Sequence, residues 1–304
     1  MAKSLRILTT LLVVLSLAGC TTKKGELGSE KNPVKLYFIP SVDAKVLEDN
    51  TQIFKAYLEK TTPYKYDVAI PQSFIAIVEA FGTKRADVAA MNTFGYVLAH
   101  DKYGVEARMT VLRHGTSTYQ SQFVAKEGSN IKSLADFKGK KMAFVDAAST
   151  SGYLLPLKKL KDKSIEPSEI VFAGKHDSVI TMIYQGQVDG GATFYSPPMG
   201  GAIQDARRLV QTQYPDVEKK IKIIDLSDPI PNDPIVFRKE MSEEMKNTIV
   251  SAFLKFMETE EGKAAFMQIY GVDSMKRASD SDYDGVRNML KALGKNAEEM
   301  MMKK

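Results

Sequence analysis

The sequence predicts an α/β protein of two lobes, each a mixed sheet flanked by helices. Short apolar runs alternate with segments of helical period along most of the chain, the pattern that packs helices against a largely parallel sheet. The alternation comes in two cycles of similar size, followed by closing helices. The length, 304 residues with 44% hydrophobic content, exceeds one ordinary domain.

In the first cycle, residues 34–39 read as a strand and 43–59 as a helix, with Val46, Leu47, Ile53, Phe54, Tyr57 and Leu58 at its core positions. Residues 66–70 form a second strand. A helix over 73–81 follows, with Ser73 as its cap and Gly82 just past its end. Residues 86–91 are a strand, 95–103 a helix, and 107–113 and 120–125 strands.

The second cycle opens with a short helix over 133–137, where Ser133 and Asp136 have capping-box spacing. Strands over 141–145 and 170–173, a helix over 177–185 and a strand over 190–194 follow. Residues 221–227 run back as a strand, and Pro229, Pro231 and Pro234 punctuate a turn. Residues 242–259, 260–269 and 281–293 read as three closing helices. The polar strands 120–125 and 221–227 are the expected crossovers between lobes, which sets lobe 1 at 33–120 and 235–293 and lobe 2 at 121–234. Residues 294–304 are a polar tail.

The N-terminus reads as an address. Lys3 and Arg6 precede an apolar run over 8–17, too short for a span of about 20 residues. It ends in Leu17-Ala18-Gly19-Cys20, which resembles a bacterial lipobox and implies a signal peptide over 1–19 and a lipidated, palmitate-type anchor at Cys20. Cys20 is the chain's single cysteine, so an internal disulfide or a cysteine metal site is excluded. Residues 20–32 are polar and read as a flexible tether to the membrane.

Losing Lys3 and Arg6 lowers the formal charge from +5 to +3, and the remaining cations are scattered, so no nucleic-acid footprint is present. The spacing offers no metal ligand set, no cofactor motif and no nucleotide loop. An enzyme would need an activated nucleophile. Ser149 with His176 is the one conceivable dyad, with no Gly-x-Ser-x-Gly elbow to support it.

The densest signal is Ser149-Thr150-Ser151-Gly152 at the carboxyl end of the strand 141–145, just before a helix-period run. Ser149 or Thr150 could be an ordinary N-cap. Three hydroxyl donors at a helix start also make a cradle for an oxyanion, with Gly152 letting a ligand approach the backbone. His176, Asn92 and Thr93 follow other strand ends, where ligands of open α/β sheets bind.

Several segments then line up in order: Ser73-Phe-Ile-Ala-Ile-Val-Glu-Ala80, Asp87-Val-Ala-Ala-Met-Asn92, Tyr119-Gln-Ser121, Ile131-Lys-Ser-Leu-Ala-Asp-Phe-Lys-Gly-Lys140, the hydroxyl turn, Phe172-Ala-Gly-Lys-His-Asp177, Val188-Asp-Gly-Gly-Ala-Thr193 and Ile230-Pro-Asn-Asp-Pro234. Over about residues 33–293 this resembles the phosphate/phosphite/phosphonate-binding family of ABC-transporter substrate-binding proteins. The resemblance implies a two-lobed type II periplasmic-binding-protein fold, joined by two crossover strands, that closes on its ligand. It implies an extracytoplasmic, non-enzymatic protein with separate permease and ATPase partners. It also implies ligand contacts at Ser149, Thr150, Ser151 and His176, a shelf at Tyr119, Phe74 where many members carry tyrosine, and an acid at Asp233.

No acid lies between Gly190 and Ile203, which disfavours an aminoalkylphosphonate and favours phosphate, phosphite or methylphosphonate. Neutral donors are expected to suffice, with no arginine. The other readings of each residue are a solvent-bonded helix start for His176, core packing for Phe74 and Tyr119, and a turn cap for Asp233. At the level of the whole chain they are an enzyme or an adhesive surface lipoprotein on the same fold, or a thiamine-related ligand.

Overall fold

A computed structural model describes residues 25–292. In chain order the first cycle gives β1 (Val34–Phe38), α1 (Ala44–Thr61), β2 (Tyr66–Ala69), α2 (Phe74–Gly82), β3 (Val88–Ala90), α3 (Thr93–Tyr103) and β4 (Glu106–Leu112). Next come β5 (Thr118–Lys126), a 3₁₀ turn (Leu134–Phe137), β6 (Lys141–Phe144), a π-helical turn (Thr150–Leu154) running into α4 (Leu155–Asp162), β7 (Glu169–Phe172), α5 (His176–Tyr184) and β8 (Gly190–Tyr195). A 3₁₀ turn (Ala206–Val210), α6 (Val217–Lys220), β9 (Ile221–Leu226) and β10 (Ile230–Pro231) complete this part. The chain returns through β11 (Pro234–Phe237), α7 (Glu243–Glu258), α8 (Glu260–Tyr270), β12 (Ser274–Arg277) and, after a 3₁₀ turn (Asp280–Tyr283), α9 (Asp284–Ala292).

The described residues form two mixed sheets. The first has the order β12-β4-β11-β3-β1-β2, and the second β10-β5-β8-β6-β7 with β9 on β5. In the first, β1 is parallel to β2 and β3, while β11 is antiparallel to β3 and β4. In the second, β6 is parallel to β7 and β8, and β5 runs antiparallel to β8, β9 and β10. The chain passes between sheets over residues 113–117 and again over 232–233.

Helix starts follow the local chemistry. Asp43 caps α1 by accepting from the Lys45 and Val46 N–H groups, and Ser242 caps α7 by accepting from Met245. Ser133 and Asp136 form the expected capping box. In the first lobe, Phe54 of α1 meets Phe253 of α7 edge-on at 4.4 Å and Phe266 of α8 at 5.4 Å, and this aromatic knot covers the outer face of the sheet. In the second, Phe123, Phe137, Met142, Phe144 and Leu160 form a separate core. A further apolar cluster includes Phe74 and Met91 from the first lobe and Val145 and Ala148 from the second, so the lobes meet.

Several expectations are corrected. Neither residues 120–125 nor 221–227 are crossovers: 120–125 lie inside β5, paired with β8, and β9 pairs with β5, all within the second sheet. The proline-marked segment is not only a turn. Pro231 ends the short β10 and Pro234 starts β11, positions where a missing N–H is tolerated. Ile53 keeps the helical period but is 38% exposed. Residues 25–32, expected as part of a flexible tether, form a turn in which Gly28 N–H donates to Asn32 O, and Gly28 O accepts from Lys65 N–H. The signal peptide, Cys20 and the 294–304 tail lie outside the described residues.

Candidate functional site

Residues that follow β1, β2 and β3 in the first sheet, and β6 and β7 in the second, line one cavity of about 40 Å³. A single water occupies roughly 10–15 Å³ on this measure, so the space suits a ligand of a few heavy atoms. Phe74, Tyr119, Ser149, Thr150, Ser151, His176 and Asp233 all line it. Sequence positions 74 to 233 are thus brought to one point by the two sheets.

The hydroxyl turn is built from the end of β6. Asp146 shapes it by accepting from the Ala148 N–H at 2.8 Å, and Ser149 then caps the helix by accepting from Gly152 N–H at 3.1 Å. The first turn is π-helical, with Leu154 N–H donating to Ser149 O at 3.0 Å, a wide geometry that recurs at functional sites. Ser149, Thr150 and Ser151 are all nearly fully buried. The capping and ligand readings of Ser149 are compatible, because a hydroxyl oxygen that accepts keeps its own proton to donate. Gly152 has another purpose than the expected one. A Cβ there would meet Val145 Cγ2 at 2.3 Å, so the glycine lets the turn pack on its own strand.

Thr150 is held from the opposite lobe. Its Oγ1 accepts from Asn92 Nδ2 at 2.9 Å and from the Phe94 N–H at 3.0 Å, at the start of α3. The same Asn92 amide donates to Ala148 O at 2.8 Å. With two bonds accepted, the Thr150 hydroxyl keeps its own proton to donate. One more bond crosses the cleft: His176 N–H donates to Ser41 O at 3.2 Å.

His176 is buried, and its Nδ1 accepts from the Phe194 N–H at 3.3 Å. The proton of the neutral ring therefore sits on Nε2. Burial, aided by the nearby Arg113 cation, lowers its pKa to about 3, so the ring is a neutral donor at physiological pH. Its ring meets Phe194 edge-on at 4.9 Å. Phe74 and Phe194 supply apolar wall on opposite sides of the cleft.

Asp233 lies where the chain passes from β10 to β11. Its Oδ2 accepts from Arg113 Nη2 at 2.9 Å, while Oδ1 is buried without a partner among the described residues. The Arg113 guanidinium also stacks over the Tyr119 ring at 5.0 Å. Burial, with the Asp233 carboxylate beside it, drives the Tyr119 hydroxyl's pKa upward, so it stays a protonated donor. Tyr119 is a β5 residue paired with Ile230, so it stands on the second sheet rather than in the first lobe.

Sequence reasoning missed the site's cations. Arg113 and Arg208 both line the cavity, against the expectation that neutral donors suffice. The physical reason is visible in the pairing. Arg113 is offset by Asp233, but among the described residues the Arg208 guanidinium donates only to the Met267 carbonyl, at 3.1 Å. Ser41 and Tyr270 were also missed. Asn92 was legible as a polar residue at a strand end. Arg208 sits in an irregular segment, one of two adjacent arginines, with no local signal to separate it from its neighbour.

The chain is similar to known proteins in sequence and in fold. The chain is 29% identical over 287 residues to the phosphate-import protein PhnD of Mycolicibacterium smegmatis, covering 86% of each chain. It is 26% identical over 243 residues to the phosphonates-binding periplasmic protein of Escherichia coli, covering 76% of this chain and 68% of that one. Among solved structures it superposes on PhnD1 of Prochlorococcus marinus, crystallised with methylphosphonate, with a TM-score of 0.73 at 20% identity, covering 86% of this chain and 98% of that one. That likeness carries the fold, a type II periplasmic binding protein. These sequence relatives are substrate-binding transport proteins, not enzymes. A family model described as the periplasmic substrate-binding protein of a phosphonate ABC transporter matches residues 36–283, spanning both sheets and the cavity, and the chain belongs to that family.

Proposed function

We propose that this chain is the lipid-anchored receptor of an ABC importer and that it captures a small phosphorus oxyanion, namely phosphate, phosphite or methylphosphonate. The observation that carries the reading is the convergence of the three hydroxyls of residues 149–151, the neutral His176 and two arginines on one enclosed cavity of about 40 Å³. A buried anion needs many donors, because an unpaired buried charge is very costly. Hydrogen bonds to a charged group each contribute about 1.5–3 kcal/mol.

The wall also supports a choice among ligands. Phe74 and Phe194 can face a methyl group or a P–H bond. The unpartnered Asp233 Oδ1 favours an oxyanion that still carries one O–H, and would repel a bare one such as sulfate. An ammonium-bearing phosphonate finds no second carboxylate among the described residues lining the cavity, and Asp233 is shared with Arg113. A thiamine-related compound would need a space nearer the several hundred Å³ of ordinary ligand pockets.

On this reading residues 1–19 are removed, Cys20 carries the lipid, and the folded part works outside the cytoplasm beside separate permease and ATPase subunits. Lobe 1 would be 33–120 with 235–293 and lobe 2 121–234, except that β5 begins at Thr118 on the second sheet and β11 at Pro234 on the first.

Calorimetric titration with phosphate, phosphite, methylphosphonate, aminoethylphosphonate and sulfate tests the ligand. Saturable binding of at least one of the first three, with sulfate and aminoethylphosphonate weaker, is expected, whereas no binding of any phosphorus oxyanion would refute it. Cys20→Ser should move the chain from the membrane to the soluble fraction.

A further inference from the structure

We infer that Arg208 is a ligand-contacting residue that sets the charge preference of this site. The inference rests on the oxyanion reading above and sharpens it. Arg208 lines the same cavity as the hydroxyl turn. Its Nε is buried and has no partner among the described residues. Its Nη2 donates to Met267 O, a carbonyl at the end of α8, and Gly271 makes room for it, since a Cβ there would come within 3.0 Å of that nitrogen.

The charges around Arg208 leave its cation uncompensated. Asp205, the nearest acid in its own segment, is held on both oxygens by Arg207 at 2.8 and 2.9 Å. Asp233, across the cleft, is bound by Arg113, and His176 is neutral. Burial, with repulsion from Arg113 and against a weaker pull from Asp205, lowers the Arg208 pKa to about 10, which leaves it protonated at neutral pH. A largely buried cation with an unpaired N–H is unfavourable until a counter-charge arrives. A planar guanidinium is well matched to two oxygens of a tetrahedral anion. The second lobe therefore presents hydroxyl donors and one full positive charge, and the site as a whole holds one cation more than it holds acids.

Titration of the full chain with inorganic phosphate tests this. Arg208→Gln should weaken phosphate binding by about 10- to 100-fold, the loss expected of a charge-assisted hydrogen bond. Arg208→Lys keeps the charge but not the fork and should lose less. The loss in Arg208→Gln should be larger at pH 8 than at pH 5.5, because the ligand carries its second charge at the higher pH while His176 stays neutral throughout. The unliganded Arg208→Gln protein should melt no earlier than wild type, since an unpaired charge has been removed. If wild type binds phosphate and both variants bind it equally well, Arg208 has no ligand role although the oxyanion reading stands. A loss in Arg208→Gln that is the same at both pH values, accompanied by an earlier melt of the unliganded protein, would make Arg208 a packing residue and overturn the assignment. If wild type binds none of phosphate, phosphite or methylphosphonate, the oxyanion reading fails and the assignment with it.

Discussion

The side-chain amide of Asn92, at the start of α3 on the first lobe, donates at 2.9 Å to the Thr150 hydroxyl oxygen on the second. The residue at the N-cap position of a first-lobe helix thus directs its side-chain amide to a hydroxyl of the other lobe rather than to its own helix. On the proposed reading this bond fixes the direction of the Thr150 hydroxyl only when the lobes meet, which gives closure a physical link to binding. Phe94 N–H, donating to the same Thr150 oxygen, and His176 N–H, donating to Ser41 O, extend the same seam.

Thr150→Val preserves shape but removes the hydroxyl. It deprives the ligand of one donor and leaves the Phe94 N–H unpaired in the closed form. Each effect costs about 1–3 kcal/mol, so phosphate affinity should fall by about 10- to 100-fold or more. Solution scattering should show less compaction at a given ligand concentration. Wild-type affinity and compaction in Thr150→Val would contradict the coupling.

Asp233→Asn leaves Arg113 without its carboxylate and removes the repulsion of bare anions. The Asp233 side chain is 25% exposed, so the lost pair should lower stability by about 1–3 kcal/mol rather than the larger figure for fully buried pairs. In calorimetric competition, sulfate should gain relative to phosphate. Unchanged selectivity would mean that Asp233 only anchors Arg113.

His176 predicts a pH dependence. Its pKa is lowered from 6.5 to about 3 in the folded protein, so between those values the unfolded chain binds the extra proton and stability rises with pH. The contribution is fully present above pH 6.5 and is lost as pH falls toward 3. Asp146 and Asp177, whose pKa values are raised by burial, work in the opposite sense at the acidic end. Denaturant melts at pH 7 and pH 4.5 should show a stability loss about 2 kcal/mol smaller in His176→Gln than in wild type. Equal losses would place His176 in a more solvated setting.

The parts of this site that were legible share one property: they belong to short stretches whose chemistry is local. Three adjacent hydroxyls at a strand end, and a polar Asn92 or His176 after an apolar run, stand out because such strand ends are where ligands bind. Arg113 and Arg208 were not legible, because what distinguishes them is pairing set by partners far away, Asp233 in one case and the Met267 carbonyl in the other. Among the strands, β12 was missed because Met275 is its one apolar residue, and its place is fixed by pairing with β4. β11 was hidden by the prolines before it and at its first position, although it is buried between β3 and β4. Tyr119 was assigned to the wrong side for a similar reason, since a strand's sheet is decided by its neighbours and not by its own pattern.

A crystal structure of the chain grown with methylphosphonate tests the central idea most directly. The anion is expected between the two sheets, with its oxygens within hydrogen-bond distance of Ser149, Thr150, Ser151 and His176 and its methyl group against Phe74 or Phe194. A saturated protein whose ligand lies elsewhere, with those hydroxyls bonded only to the protein, would contradict it.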